Sequence, residues 1–440
     1  SAEPGVLFWD TVLRESVADC YADLGYRTVS TNPCGEIPLC PYDSCRLIAL
    51  NLYSYVDNPF TPEASFNMEL FKEHSGKAMR LMDDLIDLEM EKIEAILAKI
   101  AADPETEDVK RTELELWEKI KAKSLGGRRT GLGITAEGDM LAALGMRYGS
   151  EKAIEFAVEV QKNLAVEAYR SSVNMAEERG AFPIYNTERE ANNPMIDRIR
   201  TADPALYEQM AKVGRRNISL LTIAPTGTTS LMTQTTSGIE PVFLPFYIRR
   251  RKVNPNDKNV VITFKDDVGD CWEEYYVFHH KFLTWCEVNG IPAEDVKKMS
   301  VKEVEALVEK SPYHRATSAD IDWVAKVKMQ GSIQKWVDHS ISVTVNLPNS
   351  VTEELVANVY KTAWEVGCKG VTVYRDGSRA GVLVSAKEEK KEAVSLKPKE
   401  RPKSLEADVI RFNNGKEKWI ALVGKLNGAP YEIFTGLVDE

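Results

Sequence analysis

Long amphipathic helices alternate in this sequence with short β-branched stretches, and this alternation restricts the possible folds more than any other feature. Apolar residues recur at spacings of three and four over 66–101, which predicts one long helix. A second helix is predicted to begin after Ser150, a good N-cap residue, and to end at Arg179-Gly180. The β-branched stretches are Ile218–Ile223, Ile341–Val345 and Gly370–Tyr374. Together they predict an α/β fold with a largely parallel sheet, open or closed.

The composition sets broad limits on the function. The chain has 440 residues, 43 % of them hydrophobic, which is enough for a large core in one barrel or two to three domains. Its 56 basic and 67 acidic residues give a net charge of −11, which excludes a broadly basic nucleic-acid-binding surface. No apolar run approaches the about 18 residues of a membrane span, and no signal peptide is recognisable. We expect a soluble, cytoplasmic protein with no nucleic-acid or membrane partner.

The C-terminal part of the chain differs in composition from the rest. Residues 386–404 are dominated by lysine and glutamate with two prolines, which predicts a solvated linker. Residues 405–440 then predict a small β module with short strands joined by Asn-Gly hairpin turns. The predicted strands are Val409–Phe412, Lys418–Val423 and Tyr431–Phe434, and the turns are Asn414-Gly415 and Asn427-Gly428.

The cysteines indicate free thiols in a reducing compartment. There are seven, an odd number, and no two of them form a Cys-x-x-Cys pair. The five histidines also lack metal-ligand spacing, so no metal site is predicted. The cysteines are Cys20, Cys34, Cys40, Cys45, Cys271, Cys286 and Cys368.

The motif at 31–39, TNPCGEIPL, places an amide, a thiol and a carboxylate side chain close together in the sequence. If this segment is extended, alternate side chains point to one side, and these are Asn32, Cys34 and Glu36. They offer a hydrogen-bonding amide, a thiol that can act as nucleophile or radical carrier, and a carboxylate that accepts protons. The intervening proline and glycine favour a stiff loop that another group approaches closely. The alternative is a structural cysteine in a turn beside a solvated Glu36.

A second motif predicts a phosphate-binding loop directly after the stretch Ile218–Ile223. Small hydroxyl residues and a glycine at the start of a helix offer backbone N–H groups, hydroxyls and the helix dipole to a phosphate. An ordinary capping loop is the alternative, and a Walker A motif is excluded because no Gly-Lys-Ser/Thr follows. The predicted phosphate-binding residues are Pro225, Thr226, Gly227, Thr228, Thr229 and Ser230.

A third motif, GCKGVTVYRDGSR, occupies 367–379. It places Tyr374 and Arg375 at the C-terminal end of a predicted strand, where ligand sites of α/β proteins usually lie. The alternative is an Asp-Gly turn with a solvated arginine. The segment 128–133, RRTGLG, is a weaker candidate of the same kind.

Taken together, these motifs resemble the catalytic portion of ribonucleotide reductase large chains over most of residues 1–385. The shared segments are TNPCGEIPL at 31–39, DSC at 43–45, GLGITAEGDML at 131–141, IAPTGTTS at 223–230, SGIEP at 237–241, VNLPNS at 345–350 and VTVYRDGSR at 371–379. The resemblance implies a ten-stranded α/β barrel of the ribonucleotide reductase type, of which this chain would carry the C-terminal part. It also implies that 31–39 is a finger loop in the centre of that barrel.

The resemblance implies reduction of ribonucleotides to 2′-deoxyribonucleotides and a role for each residue of the finger loop. Cys34 matches the cysteine that becomes a thiyl radical and abstracts the 3′-hydrogen of the ribose. Glu36 matches the general base that takes the 3′-OH proton. Asn32 matches the amide that binds the substrate hydroxyls, and 225–230 matches the loop that holds the substrate phosphates.

The resemblance further implies a redox-active pair of cysteines and a partner segment. Cys45 matches one member of the pair, with Cys40 as a nearby competitor. The other member lies in the family far upstream of the finger loop, and Cys20 is too close to match it. The stretch Pro4–Asp10 also looks like a strand in progress, so we expect an upstream chain that completes the barrel. A thioredoxin-like protein or another dithiol is the expected reductant.

The radical source implied by the resemblance is adenosylcobalamin. Iron-dependent class I enzymes carry two adjacent tyrosines where this chain has Val373-Tyr374. The motif Asn-Pro-Cys-Gly-Glu is in addition commoner in the cobalamin-dependent class II, so class II is favoured. No glycyl-radical motif of class III is present. A class I large-subunit fragment and a non-catalytic nucleotide-binding or assembly half remain as alternatives.

Overall fold

A computed structural model describes most of the chain, which divides into two compact units. The first unit comprises Ser1–Arg249 and Tyr275–Ala386, and the second comprises Arg250–Glu274 and Lys387–Glu440. The described residues are 5–44, 46–253, 260, 262–265, 271–318, 320–375, 383–384, 402–414 and 417–437.

The described residues contain helices and strands in alternation. The helices are α1 (Trp9–Glu15), α2 (Met68–Ala102), α3 (Glu107–Gly127), α4 (Glu137–Ala143), α5 (Glu151–Arg179), α6 (Thr187–Glu190), α7 (Pro194–Ala202), α8 (Pro204–Val213), α9 (Gly227–Thr233), α10 (His280–Val288), α11 (Ala293–Val296), α12 (Val301–Lys310), α13 (Trp323–Gln334) and α14 (Glu353–Glu365). Short 3₁₀ helices cover Ala18–Leu24 and Leu52–Tyr55.

The strands are β1 (Gly5–Leu7), β2 (Ser30–Thr31), β3 (Pro38–Leu39), β4 (Leu47–Asn51), β5 (Val56–Asp57), β6 (Ser65–Phe66), β7 (Gly131–Thr135), β8 (Phe246–Lys252), β9 (Phe264–Lys265), β10 (Cys271–Phe278), β11 (Thr344–Leu347), β12 (Gly370–Arg375), β13 (Leu383–Val384), β14 (Glu406–Asn414), β15 (Glu417–Leu426) and β16 (Ala429–Leu437).

The two long helices begin and end where local capping chemistry places them. The Asn67 side chain accepts a hydrogen bond from the backbone N–H of Leu70 and caps α2. The Ser150 side chain caps α5 in the same way, and α5 ends at Gly180, whose φ of +86° suits glycine. Both predicted helices are therefore confirmed. The two helices pack on each other, α2 also packs on β4 and β7, and Met79, Met82 and Leu164 are fully buried in the core cluster that the helices share.

A largely parallel set of strands forms the framework of the first unit. β4 pairs in parallel with β7, and β11 pairs in parallel with β12. The segment 219–223 lies between these two pairs and joins them through parallel bridges from Leu221 to Leu132 and from Ile223 to Ile341. β1 runs antiparallel along the other edge of β12. The predicted α/β class is confirmed, whereas the pairing is mixed: β4 with β7 and β11 with β12 are parallel, and β1 with β12, β2 with β3 and β5 with β6 are antiparallel.

The segment Ile218–Ile223 was predicted as a strand, but it forms only isolated bridges. The reason is that the Asp338 carboxylate accepts hydrogen bonds from the backbone N–H groups of Leu220 (2.8 Å) and Leu221 (2.7 Å). A side chain thus takes donors that a regular ladder would use. β1 is also shorter than the predicted Pro4–Asp10, because α1 begins at Trp9.

The second unit contains a three-stranded antiparallel sheet made by β14, β15 and β16. The predicted strands at the C-terminus lie within these three. Asn427 and Gly428 have φ of +54° and +81°, which is the geometry of a tight hairpin turn. The predicted turn at 414–415 and the linker 386–404 lie outside the described residues, apart from Asn414 and 402–404.

Candidate active site

The finger loop is a short hairpin whose tip is a tight turn. β2 and β3 pair antiparallel, and the loop between them closes with a hydrogen bond of 3.0 Å from the Gly35 N–H to the Asn32 carbonyl. Pro33 occupies the second position of the turn, where proline is favoured. Gly35 ends the turn with a φ of +80°, which suits glycine. The side-chain alternation expected for an extended segment is therefore wrong at this tip, because Pro33 and Gly35 turn the chain instead of extending it.

Cys34 lies at the tip of the turn with its side chain exposed. It lines a cavity of about 230 Å³ together with residues of β1, β12 and the segment 341–343. The pKa of the Cys34 thiol is raised, first by partial desolvation and second by the negative charge of Glu36. The thiol and the carboxylate are thus close enough to interact electrostatically.

Glu36 is buried, and two hydrogen bonds anchor its backbone carbonyl. Its carbonyl oxygen accepts hydrogen bonds from the Thr222 hydroxyl (2.8 Å) and from the Ser340 N–H (2.9 Å). Only 2 % of the residue is exposed, and carboxylate atom Oε2 has no hydrogen-bond partner among the described residues. A buried carboxylate oxygen without a donor is costly, and it is suited to accept a proton or a hydrogen bond from a bound ligand.

Asn32 shapes the loop with one end of its side-chain amide. Its Oδ1 accepts a hydrogen bond of 3.0 Å from the Ile37 N–H, and its own N–H donates to the Ile37 carbonyl. Its Nδ2 makes no hydrogen bond within the part of the chain that the structure describes. The free amide hydrogens of Asn32 are therefore available to a ligand, while its oxygen is not.

The predicted phosphate loop divides into an anchored part and an exposed part. The Thr226 hydroxyl lies 2.9 Å from that of Thr135 and accepts a hydrogen bond from the Gly238 N–H. Ser230 is buried, and its hydroxyl donates to the Gly227 carbonyl. Gly227, Thr228 and Thr229 are exposed at the start of α9.

A larger cavity, about 700 Å³ in volume, adjoins the exposed part of this loop. Gly227 and Thr228 line one part of it, and His279 and Asn346 line others. His279 Nε2 lies 2.7 Å from the Asp139 carboxylate, which is fully buried and also accepts a hydrogen bond from Tyr313. The loop thus faces a space large enough for a phosphate group.

Sequence reasoning missed a buried polar network beneath the finger loop. Arg129 donates to Asp43 Oδ2 (2.7 Å) and to Nε2 of His339 (3.0 Å). His339 in turn donates through Nδ1 to the Leu221 carbonyl. Burial, Arg129 and Lys369 lower the pKa of His339 well below its usual value, so the imidazole is neutral. Arg129 belongs to the weak RRTGLG candidate, whereas His339 carried no recognisable sequence signal.

The structure describes Cys40 but not Cys45, the two cysteines considered for the redox pair. Cys40 is buried, and its thiol donates to Asp43 Oδ2 at 3.3 Å. Burial, and then Asp43, raise the pKa of Cys40 to about 12. Cys45 lies outside the described residues. The assignment of Cys45 as the redox thiol therefore stays a prediction.

The third motif is described only in part. Tyr374 and Arg375 end β12, and Arg375 donates to the Asn349 carbonyl, while residues 376–379 lie outside the described residues. Across the described ranges, no three histidine, cysteine or acidic side chains form a group that could hold a metal ion. None of the helices described here is long and apolar enough to cross a membrane.

Comparison with protein families gives two matches. Residues 1–374 match the family described as ribonucleotide reductase, barrel domain. Residues 405–440 match a family described as the NrdJ homologue C-terminal domain.

Curated relatives are named as cobalamin-dependent enzymes. A vitamin B12-dependent ribonucleoside-diphosphate reductase of Mycobacterium tuberculosis (strain CDC 1551 / Oshkosh) is 30 % identical over 384 residues, which cover 87 % of this chain and 46 % of the relative. An enzyme of the same name from Thermoplasma acidophilum is 30 % identical over 420 residues, covering 93 % of this chain and 46 % of the relative. The chain thus spans about half the length of these relatives. Their names confirm the predicted similarity to the cobalamin-dependent class.

Among solved structures, the class Id ribonucleotide reductase alpha subunit of Actinobacillus ureae matches with a TM-score of 0.56. The identity is 18 %, and the match covers 85 % of this chain and 58 % of that one. This likeness concerns the fold, and together with the family match it confirms the predicted barrel type.

Proposed function

Since the chain belongs to the ribonucleotide reductase family, whose barrel domain it matches over 1–374, we propose that it carries the finger-loop part of an enzyme that converts ribonucleotides to 2′-deoxyribonucleotides. The observation that carries the proposal is the pairing of Cys34 with Glu36. An exposed thiol at a loop tip is separated by one residue from a buried glutamate whose carboxylate atom Oε2 has no hydrogen-bond partner among the described residues. This arrangement suits hydrogen-atom abstraction coupled to proton transfer.

The proposed reaction begins on the ribose. Cys34, as a thiyl radical, takes the 3′-hydrogen atom, and Glu36 accepts the proton of the 3′-hydroxyl. Asn32 donates its free amide hydrogens to a substrate hydroxyl. Loss of the 2′-hydroxyl as water then requires two electrons, which two thiols supply as they form a disulfide. We assign one of these thiols to Cys45 and the other to an upstream segment, with a thioredoxin-like protein or small dithiol as the final reductant.

The proposed phosphate site is the exposed start of α9. Gly227, Thr228 and Thr229 would bind the substrate phosphates with backbone N–H groups and hydroxyls. Thr226 and Ser230 would act by holding this loop in place, because their hydroxyls are used within the protein. Pro225 would restrict the chain where the loop begins.

The surroundings of Cys34 fit an organic radical source that reaches the loop tip. Val6 and Leu7 are about 40 % exposed and line the same cavity as Cys34 and Pro33, so the apolar side chains of Val6, Leu7 and Pro33 would form the part of the cofactor-binding surface nearest the thiol. Adenosylcobalamin, when bound, supplies a carbon-centred radical through homolysis of its cobalt–carbon bond. The part of this chain is to present the Cys34 thiol, which gives up its hydrogen atom.

The test is a deoxynucleotide assay on this chain combined with the N-terminal portion found in its relatives. The mixture contains a ribonucleoside diphosphate, a dithiol and adenosylcobalamin. We expect product that disappears when cobalamin is omitted and when Cys34 is changed to serine. Cys286→Ala is the control, because this thiol is buried in the core cluster around Phe282 and lies outside the finger loop, and it should retain activity.

Other results of this assay would replace the proposal. Product that requires a metal-containing radical subunit instead of cobalamin would identify a class I large-subunit fragment. No product under either condition would favour a non-catalytic nucleotide-binding or assembly role.

A further inference from the structure

Thr222 anchors the finger loop, although it lies outside both the finger-loop motif (31–39) and the predicted phosphate-binding residues (225–230). Thr222 is 1 % exposed and lies in the segment that bridges β7 to the strand region before β11. Its hydroxyl lies 2.8 Å from the Glu36 carbonyl and 3.1 Å from the Ser340 carbonyl. A hydroxyl has one proton to donate, and the shorter contact is the one to Glu36. Thr222 therefore joins the loop that carries Cys34 to the inner wall of the first unit.

The second anchor of Glu36 is itself fixed by buried groups. Ser340 donates its N–H to the Glu36 carbonyl, and the Ser340 carbonyl accepts from the N–H of Ile223. The Asp338 carboxylate accepts from the N–H groups of Leu220 and Leu221, which holds the two backbone segments together. The segments 220–223 and 338–340 are thus hydrogen-bonded to each other next to Glu36, and together they form its platform.

The base of the same loop is tied to this platform through Arg129. Its guanidinium donates to Asp43, just beyond β3, and to His339, next to Ser340. Arg129 and His339 are 1 % and 2 % exposed. One buried network therefore contacts the finger loop at Glu36, through Thr222, and the residues after β3 at Asp43, through Arg129.

We infer that Thr222 is a positioning residue, which fixes the Glu36 backbone so that the Glu36 carboxylate stays beside the Cys34 thiol. The anchor holds the backbone of Glu36, and its carboxylate atom Oε2 has no hydrogen-bond partner among the described residues. The catalytic meaning of this positioning rests on the proposed function. The geometric inference can be tested without turnover, through the electrostatic influence of Glu36 on Cys34.

The experiment measures how fast iodoacetamide alkylates Cys34 as a function of pH. Only the thiolate reacts, so the midpoint of the profile reports the ionisation of this thiol. Cleavage after Arg27 and Arg46 gives one peptide, in which fragmentation separates Cys34 from Cys40 and Cys45. Glu36→Gln defines the midpoint in the absence of the neighbouring charge, and this midpoint should be lower than in the unmodified chain.

Thr222→Val removes the hydroxyl but keeps the methyl group that faces Gly131. We expect its midpoint to shift towards that of Glu36→Gln, with at least about a twofold faster reaction near pH 8. Thr222→Ser, which retains the hydroxyl, should restore the original profile. Thr222→Ala serves as a second variant if valine disturbs folding, which circular dichroism would reveal, and it should behave as Thr222→Val does.

Thr130→Val is the matched control. Thr130 is also fully buried, and its hydroxyl lies 3.2 Å from the Leu220 carbonyl and 3.4 Å from the Ser219 carbonyl, both outside the finger loop. An unshifted midpoint in Thr222→Val and Thr222→Ala, or an equal shift in Thr130→Val, would overturn the inference. If Glu36→Gln itself leaves the midpoint unchanged, the pairing of Cys34 with Glu36 fails, and the proposed function loses its main support as well.

Discussion

At the scale of single residues, the first unit keeps its buried polar groups in two different states. Most of them are saturated, as Asp338 is by four donors: the backbone N–H groups of Leu220, Leu221 and His339, and the Tyr169 hydroxyl. Glu36 is in the other state, because its buried Oε2 has no hydrogen-bond partner among the described residues, and both carboxylate oxygens of the fully buried Glu137 share that state. Fully hydrogen-bonded groups stabilise the fold. An unsatisfied carboxylate oxygen in a loop beside a cavity is instead suited to accept a proton or a hydrogen bond from a ligand.

Replacing Glu36 shows whether its carboxylate serves the reaction or the stability of the fold. In the completed enzyme, we expect Glu36→Gln to lower turnover by about 100-fold or more, because an amide cannot accept the 3′-hydroxyl proton. The midpoint of thermal unfolding should change little, because the carboxylate contributes no hydrogen bond from Oε2 to the fold. Glu63→Gln, at an exposed position, is the control and should leave turnover unchanged. Full turnover in the Glu36 variant would contradict its role as general base.

His339 makes the stability of the first unit depend on pH. Its pKa in the folded chain is well below the usual 6.5, so the unfolded chain binds a proton more readily as the pH falls. The contribution of neutral His339 is therefore complete above about pH 6.5 and is lost below it, by at most about 1.4 kcal/mol per pH unit.

The variant His339→Asn tests this pH dependence. Asparagine can still donate to the Leu221 carbonyl but does not titrate, so we expect a flatter loss of stability between about pH 6.5 and pH 5. Denaturant unfolding at several pH values gives the slope. His314→Asn is the control, because His314 is exposed and should leave the slope as it was. Equal slopes for the unmodified chain and His339→Asn would rule out this assignment.

At the scale of secondary-structure elements, close backbone approach decides how the strands pack. A Cβ atom at Gly133 in β7 would lie 2.1 Å from the Thr222 carbonyl oxygen, which is backbone and cannot turn away. The adjoining segment supplies Thr222 itself, so this close contact helps to place the anchor of the finger loop. A glycine is required here by the distance between two chain segments and not by a positive φ.

Two glycine substitutions should therefore have opposite effects on stability. We expect Gly133→Ala to lower the free energy of unfolding by about 2 to 3 kcal/mol, because β7 must move away from Thr222. Gly76→Ala lies inside α2, where the nearest neighbour of the new methyl group is 4.0 Å away, and it should raise stability by up to about 1 kcal/mol. Urea unfolding measures both. A tolerated Gly133→Ala would show that the two segments can separate easily.

At the scale of the whole molecule, the chain corresponds to about half of its relatives and has strands with free edges. Within the described residues, β4 has β7 as its only strand neighbour, and β1 has β12. β4 and β1 are thus edge strands in the part of the chain that the structure describes, and an edge strand can pair with a further strand. This agrees with the expectation that an upstream segment completes the barrel.

The predicted consequence concerns activity. We expect no deoxynucleotide from this chain alone, and product once the N-terminal portion of its relatives is added, because the second redox thiol would come from that portion. The measurement compares product with and without the added segment at equal concentration. Adding the segment to the Cys34→Ser chain is the control and should give no product. Turnover by the unaccompanied chain would contradict the need for a partner segment.

Local chemistry in the sequence was sufficient for the α/β class and for helices α2 and α5, and the resemblance of the motifs was sufficient for the family. Capping residues, apolar periodicity and Asn-Gly turns act over a few residues, so a linear reading can detect them. The tertiary structure alone revealed that Pro33 and Gly35 turn the finger loop and that Thr222 anchors Glu36 from 186 residues away. Such contacts depend on how distant segments close on each other, and no pattern within either segment encodes the partner.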